Sequence, residues 1–241
     1  MPSDSNPNSY FKDKEEAAAR LIDTLPLELL QNNETVVLGV SKEGVFFADK
    51  IANASGATMD ILLTEPIVAP NNSELEIAMV SETEEVVMHK ALVNSFGISE
   101  DYVYHEAQRK YEEEVLSYIY KYRKGRNLVS LSGKYVVLVD ECIETGLTMM
   151  VALKSVIAKE AKNIYIATPV LDRAVYENLL AVCDGVFCPH QVKDYISIEY
   201  YYDHFEQSEF ETIVHIVDTQ ERKRREIKRT EIHNKTEIEK G

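Results

Sequence analysis

Apolar residues follow two alternating patterns along this chain, the continuous runs of buried strands and the three-to-four spacing of helices. Short apolar runs predict the strands Thr35–Val40, Met59–Leu63, Lys134–Val139, Ile164–Val170 and Gly185–Cys188. Helical spacing predicts helices over Phe11–Leu30, Gly44–Ala54, Ser99–Arg123, Thr148–Ala158 and Asp172–Cys183. Because strands and helices alternate, the pattern predicts an α/β fold with a central parallel sheet flanked by helices on both faces.

Three stretches interrupt this alternation. Two prolines and paired asparagines predict a loop over Pro66–Ser73, and Ile77–Val80 with Glu85–Met88 indicates a short hairpin. Residues 1–9 are rich in Ser, Asn and Pro, which predicts disorder. The chain is therefore expected to comprise a disordered N-terminus (1–9), one large domain (10–218) and a charged tail (219–241).

The composition of the chain gives an expectation for its cellular location. The polar N-terminus has no apolar segment typical of a signal peptide, and no apolar run is long enough to span a membrane. The three cysteines are an odd number and lie on or beside apolar runs, which does not suit a disulfide framework. We therefore expect a cytoplasmic protein without a membrane partner.

Charge is distributed unevenly along the chain. The net charge is −15, but residues 219–241 hold eight Lys/Arg and five Asp/Glu, so the body carries −18 and the tail +3. A body this acidic repels phosphate backbones, so we expect it not to bind nucleic acid. The basic tetrad Arg222–Arg225 suits a solvated helix or a disordered end better than a contact with RNA or an acidic partner.

The most informative segment runs from a predicted strand into a predicted helix. The apolar strand ends in the adjacent acids Asp140 and Glu141, and the loop that follows contains Thr145-Gly146-Leu147-Thr148. Ligands of parallel α/β sheets bind beyond the carboxyl ends of the strands, and a helix N-terminus there suits a phosphate group. The two carboxylates can accept hydrogen bonds from vicinal hydroxyls and are expected to reach a common cleft. The segment therefore predicts a ribose-phosphate site.

This arrangement resembles the ribose-phosphate signature of the phosphoribosyltransferases. Further resemblance covers roughly residues 10–210 and lies in the segments Phe11–Ala17, Ala69–Ala78, Tyr122–Arg126 and Tyr201–Phe205. The resemblance implies a phosphoribosyltransferase-type central parallel sheet with a small hood subdomain built from N-terminal and C-terminal segments, including residues near 190–205.

The resemblance also implies roles for individual residues. Asp140 and Glu141 would hold the ribose hydroxyls, and the loop Ile143, Glu144, Thr145, Gly146, Leu147, Thr148 would enclose the 5-phosphate. Lys193 and Tyr195 would contact the base from the hood. Mg²⁺ would arrive with the pyrophosphate of the substrate rather than on direct protein ligands. A homodimer is compatible with this resemblance.

Three positions depart from the family pattern. A loop such as Pro-Arg-Gly-Gly, which binds pyrophosphate, is replaced by Ser41-Lys42-Glu43-Gly44, so Glu43 brings a carboxylate towards the pyrophosphate site. Glu65 and Pro66 stand where the family has an Arg-Lys pair. Glu144 stands where related proteins have a small residue, although purine transferases of the hypoxanthine-guanine type have an acid there that acts as a base.

Two functions from different classes follow. The first is transfer of a phosphoribosyl group from phosphoribosyl pyrophosphate to a nitrogenous base, with release of pyrophosphate and with Asp140, Glu141 and Glu144 as candidate catalytic residues. The alternative is a catalytically weakened relative that senses a nucleotide or ribose phosphate, or acts as a scaffold. The acceptor base does not follow from the sequence.

Overall fold

The computed structural model describes residues 10–238, so the predicted disorder of residues 1–9 lies outside the described residues. The strands are β1 Thr35–Gly39, β2 Thr58–Ile61, β3 Thr64–Ala69, β4 Asn72–Ser81, β5 Val86–Met88, β6 Tyr135–Val139, β7 Cys142–Ile143, β8 Asn163–Ala167, β9 Val170–Asp172, β10 Gly185–Phe187 and β11 His190–Val192. The helices are α1 Lys14–Thr24, α2 Leu27–Gln31, α3 Lys42–Ser55, α4 Lys90–Ser95, α5 Glu100–Lys110, α6 Leu116–Arg123, α7 Leu147–Ala158, α8 Arg173–Leu180 and α9 Phe210–Ile238.

The core of the fold is a five-stranded sheet in the order β10-β8-β6-β1-β2, with every pair parallel. This confirms the predicted central parallel sheet. Side chains alternate between two apolar layers, as the period of a strand requires. Val37 of β1 packs in the layer that contains α1 and α3, whereas Val36 and Leu38 pack in the layer that contains α7 and α8.

Two smaller sheets flank the central one. Strands β3, β4 and β5 form an antiparallel sheet, so the hairpin expected from Ile77–Val80 and Glu85–Met88 is confirmed. The loop predicted over Pro66–Ser73 is wrong, because β3 and β4 are paired through most of it. Pro66 is tolerated since β3 is an edge strand, where a missing N–H costs no ladder hydrogen bond.

Prolines also explain two wrong element boundaries. The single helix predicted over Phe11–Leu30 is two helices, because Leu25 precedes Pro26 and is extended (φ −83°, ψ 146°). The strand predicted over Ile164–Val170 ends at Ala167. After Pro169, Val170 begins β9 in a second parallel sheet of order β11-β9-β7, which the apolar pattern did not reveal.

The N-terminal segment joins the segment that follows β11, as a hood requires. The backbone N–H groups of Tyr10 and Phe11 donate to Tyr201 O, each at 3.0 Å. Asp203 N and His204 N donate back to the carbonyls of Phe11 and Lys12, at 2.8 and 2.9 Å. The two ends of the domain are therefore held together beside the sheet.

The last helix lies against the body of the domain. Ile213 and Val217 of α9 are buried in the same apolar layer as α3, and Gln220 Nε2 donates to Asn53 Oδ1 at 3.1 Å. Helix α9 continues without a break across residue 218, where the charged tail was expected to begin. No helix within residues 10–238 combines the length and apolar character needed to cross a membrane.

Candidate functional site

The candidate site lies where β1 and β6 end side by side. Gly39 of β1 pairs in register with Val139 of β6, so the residues that follow the two strands meet at one edge of the sheet. Helix α3 begins directly after Ser41 and packs closely against β6. A Cβ added to Gly44 would lie 2.5 Å from Val139 O. This close approach of α3 to β6 therefore requires glycine.

Ser41 connects the two loops. Its Oγ lies 2.5 Å from Asp140 Oδ1 and 2.5 Å from Glu141 Oε2. The same Oγ accepts the N–H of Gly44 at 2.8 Å and so caps the N-terminus of α3. A residue expected in the pyrophosphate loop therefore contacts both acids expected at the ribose hydroxyls.

The two acids differ in exposure. Asp140 is only 7% exposed, which is at odds with the expectation that both carboxylates reach a common cleft, whereas Glu141 is half-buried. Burial raises the pKa of Asp140 well above its usual range, and the neighbouring Glu141 charge adds to this effect. Glu141 therefore presents the more accessible carboxylate.

The loop after β6 turns sharply into α7. Gly146 precedes the helix with φ 75°, in the left-handed region, and a Cβ there would lie 2.6 Å from Val175 Cγ1. Ile143 and Leu147 are buried in the core, so they can offer only backbone groups to a ligand. Thr145 is exposed and Thr148 half-buried. The first turn of α7 leaves backbone N–H groups without helical partners, which is the geometry that suits a phosphate.

A cleft of about 280 Å³ lies beside this loop, between the ends of β1 and β2 and the antiparallel sheet. Its polar lining comprises Ser41, Lys42, Thr64, Glu65, Glu76 and Thr148. Lys42 is exposed, so its ammonium is available to an anion in the cleft. The two glutamates oppose it, which leaves this part of the site with mixed charge.

Glu43 is turned away from this cleft. Its Oε2 lies 2.8 Å from Lys14 Nζ and accepts from Ser208 Oγ at 2.8 Å, and its Oε1 accepts from Ser208 N. The carboxylate that the sequence placed near the pyrophosphate is therefore bound to a cation of α1.

Glu65 belongs to a small cluster with α5 and the turn that follows it. Its Oε1 lies 3.2 Å from Lys110 Nζ, which also bonds Glu114 Oε1 at 2.6 Å. Burial, followed by the hydrogen bond with Glu114, raises the pKa of Glu65 to about 7. Burial and the nearby Glu144 charge also raise the pKa of Glu76. The position where the family has an Arg-Lys pair is therefore acidic here.

The segment after β11 brings one of the two predicted base contacts towards the acids. Tyr195 OH donates to Cys142 Sγ at 3.3 Å, beside Glu141. Lys193 and Glu144 are both exposed. Tyr202, which belongs to the segment Tyr201–Phe205 that resembles the family, has a buried hydroxyl without a hydrogen-bond partner. After burial, the effects of Cys142 and Glu141 are the next causes that raise its pKa, so Tyr202 lies close to the site.

No group of three or more His, Cys, Asp or Glu residues within residues 10–238 is arranged to hold a metal ion.

Comparison with known proteins identifies relatives over most of the chain. The phosphoribosyl transferase domain family matches residues 8–204. Two proteins from two strains of Mycobacterium tuberculosis, named provisionally as phosphoribosyl transferases, are 26% identical over 209 residues. The match covers 86% of this chain but 46% of each relative, so the chain spans about half the length of these curated relatives.

A solved structure shares the fold of this chain. The crystal structure of TT1426 from Thermus thermophilus superposes with a TM-score of 0.69 at 28% identity, covering 86% of this chain and 97% of that one. The family match covers well over half of the sequence and includes every residue of the site from Ser41 to Tyr202. The chain therefore belongs to the phosphoribosyl transferase domain family.

Proposed function

We propose that this protein binds the ribose 5-phosphate part of phosphoribosyl pyrophosphate and transfers it to a nitrogenous base, releasing pyrophosphate. One observation carries the proposal. Two carboxyl groups at the end of a central parallel strand are followed by a left-handed glycine that opens α7. Carboxylates can accept hydrogen bonds from ribose hydroxyls, and the N–H groups of a helix N-terminus can donate to a phosphate, which supports the proposal.

Each part of the ligand then has a group suited to it. The 5-phosphate accepts hydrogen bonds from the first turn of α7 and from the hydroxyls of Thr145 and Thr148. Glu141 accepts hydrogen bonds from the 2- and 3-hydroxyls, supported by Asp140. Lys42 faces the pyrophosphate, because it is the cationic residue that lines the cleft next to Ser41.

In the reaction, the bond between C1 of the ribose and the pyrophosphate oxygen breaks, and a bond from C1 to a base nitrogen forms. Positive charge develops on the ribose, so the negative charge of the Asp140–Glu141 pair favours the transition state. The exposed Glu144 can receive the proton that the base nitrogen loses. Tyr195 and Lys193 are our candidates for contacts with the base.

Mg²⁺ would neutralise charge on the pyrophosphate of the substrate, and no residue is assigned as its ligand. The cytoplasmic location, the homodimer and the absence of a nucleic-acid partner stay predictions.

A second function is favoured by the acidic lining of the cleft. Glu65 and Glu76 flank Lys42 where a pyrophosphate group would lie, and like charges weaken binding of a polyanion. A protein with this site would bind a nucleoside monophosphate and transfer no phosphoribosyl group, and would then act as a nucleotide sensor.

Calorimetry with phosphoribosyl pyrophosphate and with nucleoside monophosphates, in the presence of Mg²⁺, separates the two functions. A transferase binds both classes and a sensor binds only the monophosphate. Thr148→Val should weaken binding of either ligand about tenfold, or ~1.4 kcal/mol, whereas Thr230→Val on the exposed part of α9 should not. Binding of neither class would refute both functions.

A further inference from the structure

The hydroxyl of Ser41 contacts two acids but has only one proton to donate. Its Oγ accepts the N–H of Gly44 and lies 2.5 Å from an oxygen of Asp140 and 2.5 Å from an oxygen of Glu141. A hydroxyl has one proton to donate, and an ionised carboxylate only accepts. Two full hydrogen bonds from this hydroxyl to the acids would need a second proton, which one of the carboxyl groups can supply.

The surroundings indicate which acid holds that proton. Asp140 is only 7% exposed, and its nearest charged neighbour along the chain is Glu141, whose charge disfavours ionisation of Asp140. Glu141 is half-buried, so its carboxylate is in better contact with solvent than that of Asp140. Ser41 Oγ can accept from Gly44 N–H and from Asp140 while its own proton goes to Glu141; Asp140 Oδ1 also accepts the N–H of Glu141 at 3.0 Å.

Three titratable groups that lie beside this pair carry no positive charge. Cys142 follows the acids, Tyr195 donates to it, and Tyr202 is buried nearby. Burial is the largest cause that raises the pKa of all three, so each stays neutral near neutral pH. Glu144, on the same loop, adds a further negative charge to their surroundings.

We propose that Ser41 is a positioning residue that joins Asp140 and Glu141 into one hydrogen-bonded unit holding a single shared proton. Asp140 donates to Ser41, and Ser41 donates to Glu141. The unit presents one negative charge, not two, to a ligand that itself carries phosphate. The loop that this chain resembles has proline at this position, which offers no hydroxyl, so the unit is a feature of this sequence. The proposal rests on the proposed binding of ribose phosphate at this site.

Infrared difference spectroscopy tests the shared proton directly, because a protonated carboxyl group has a carbonyl band that a carboxylate lacks. Near neutral pH, Asp140→Asn should remove one component of this band. Ser41→Ala should shift that component, since the acid loses its acceptor, and Ser41→Thr should restore its position. Two results would overturn the proposal: no component lost in Asp140→Asn, or a component that Ser41→Ala leaves in place.

Ser41 also caps α3, so loss of the cap needs its own control. Ser99→Ala removes an equivalent cap from α5, where Ser99 accepts from Tyr102 N at 3.2 Å, and it should leave the band unchanged. Ser41→Gly is the second variant if Ser41→Ala folds poorly, because glycine caps a helix nearly as well as serine. It should shift the band as alanine does.

Calorimetry with ribose 5-phosphate keeps this proposal distinct from the proposed function. Ser41→Ala should bind about tenfold more weakly and Ser41→Thr nearly as well as the natural chain. If the natural chain has the component that Asp140→Asn removes and Ser41→Ala shifts, but does not bind ribose 5-phosphate, the result would contradict the proposed function alone. A chain that binds it but lacks the component would contradict the assignment of Ser41 alone.

Discussion

At the scale of single residues, the site depends most on the acids after β6. Changing Asp140 to Asn and Glu141 to Gln together keeps the shape of both side chains but removes the charge that ribose hydroxyls meet. We expect ribose 5-phosphate to bind at least tenfold more weakly, or about 1.4 kcal/mol, as measured by calorimetry. Unchanged affinity in the double variant would remove these acids from the site.

Glu43 is the residue whose role changes most between sequence and structure. The sequence places its carboxylate near the pyrophosphate, whereas in the structure it is bound to Lys14 and Ser208. We therefore expect Glu43→Gln to affect the stability of the fold more than the affinity for ligand. The loss of a largely buried ion pair should lower the free energy of unfolding by about 2 kcal/mol.

Chemical denaturation measures this loss, and Lys14→Met in the same chain is the matched control. The double variant should lose less stability than the two single variants lose together, because either substitution alone already breaks the pair. Full additivity would show that the pair contributes nothing, and a gain in transferase rate without a loss of stability would show that Glu43 faces the ligand.

Glu65 should make the free energy of unfolding depend on pH. Its pKa is raised to about 7 in the folded chain, so the folded state holds a proton that the unfolded state releases near pH 4.3. The free energy of unfolding should therefore fall as pH rises between these values, on the order of 1 kcal/mol after solvent screening. Glu114, whose pKa is lowered, changes the free energy of unfolding only at lower pH than this range.

Thermal unfolding of the natural chain and Glu65→Gln over this pH range measures the effect. The variant should lose the decline in stability that the natural chain shows. If the two curves run parallel, Glu65 does not carry the proton.

At the scale of elements, Gly146 fixes the turn into α7. Gly146→Ala places a Cβ 2.6 Å from Val175 Cγ1 at φ 75°, so it combines a strained backbone with a clash. Gly56 has φ 70° but nothing within 4 Å of an added Cβ, so Gly56→Ala carries the strain alone, about 1 kcal/mol.

We expect Gly146→Ala to lower the free energy of unfolding by at least about 1 kcal/mol more than Gly56→Ala does, as measured by chemical denaturation. The further change Val175→Ala should recover part of the difference. Equal losses at the two glycines would mean that α8 yields freely and that Gly146 is not needed for packing.

Several elements followed from the sequence and others did not, for physical reasons. The long apolar runs, such as β6, gave the parallel sheet because a strand covered on both faces must be apolar throughout. Strands β7, β9 and β11 are only two or three residues long, too short for a periodic pattern. The π-helical turn Tyr111–Val115 lies inside a helix that was predicted as continuous.

The candidate site was predictable where its chemistry is local. The acids and the Thr-Gly-Leu-Thr loop adjoin one strand, so their order alone indicates a phosphate site. The contacts of Ser41 with Asp140 and of Glu43 with Lys14 and Ser208 join residues that are far apart in sequence. Which way a side chain turns at such a contact depends on tertiary packing, and no local pattern records it.

At the scale of the whole molecule, charge is the property that restricts partners. The chain carries −15, and a cluster of basic residues, Arg222–Arg225, lies in α9. We expect no binding to duplex DNA or RNA at physiological salt in a fluorescence-anisotropy titration, because the body repels phosphate backbones. Any binding that appears should disappear when Arg222–Arg225 are changed to Gln. Binding that survives this change would place a nucleic-acid site on the acidic body.

The central claim is that the N-terminus of α7 holds the phosphate of a ribose 5-phosphate group. A crystal structure of the chain soaked with ribose 5-phosphate tests it most directly. We expect the phosphate to lie against the backbone N–H groups and hydroxyls of Thr145–Thr148, with the 2- and 3-hydroxyls directed to Glu141. A phosphate bound elsewhere, or an α7 N-terminus that stays free at saturating ligand, would contradict it.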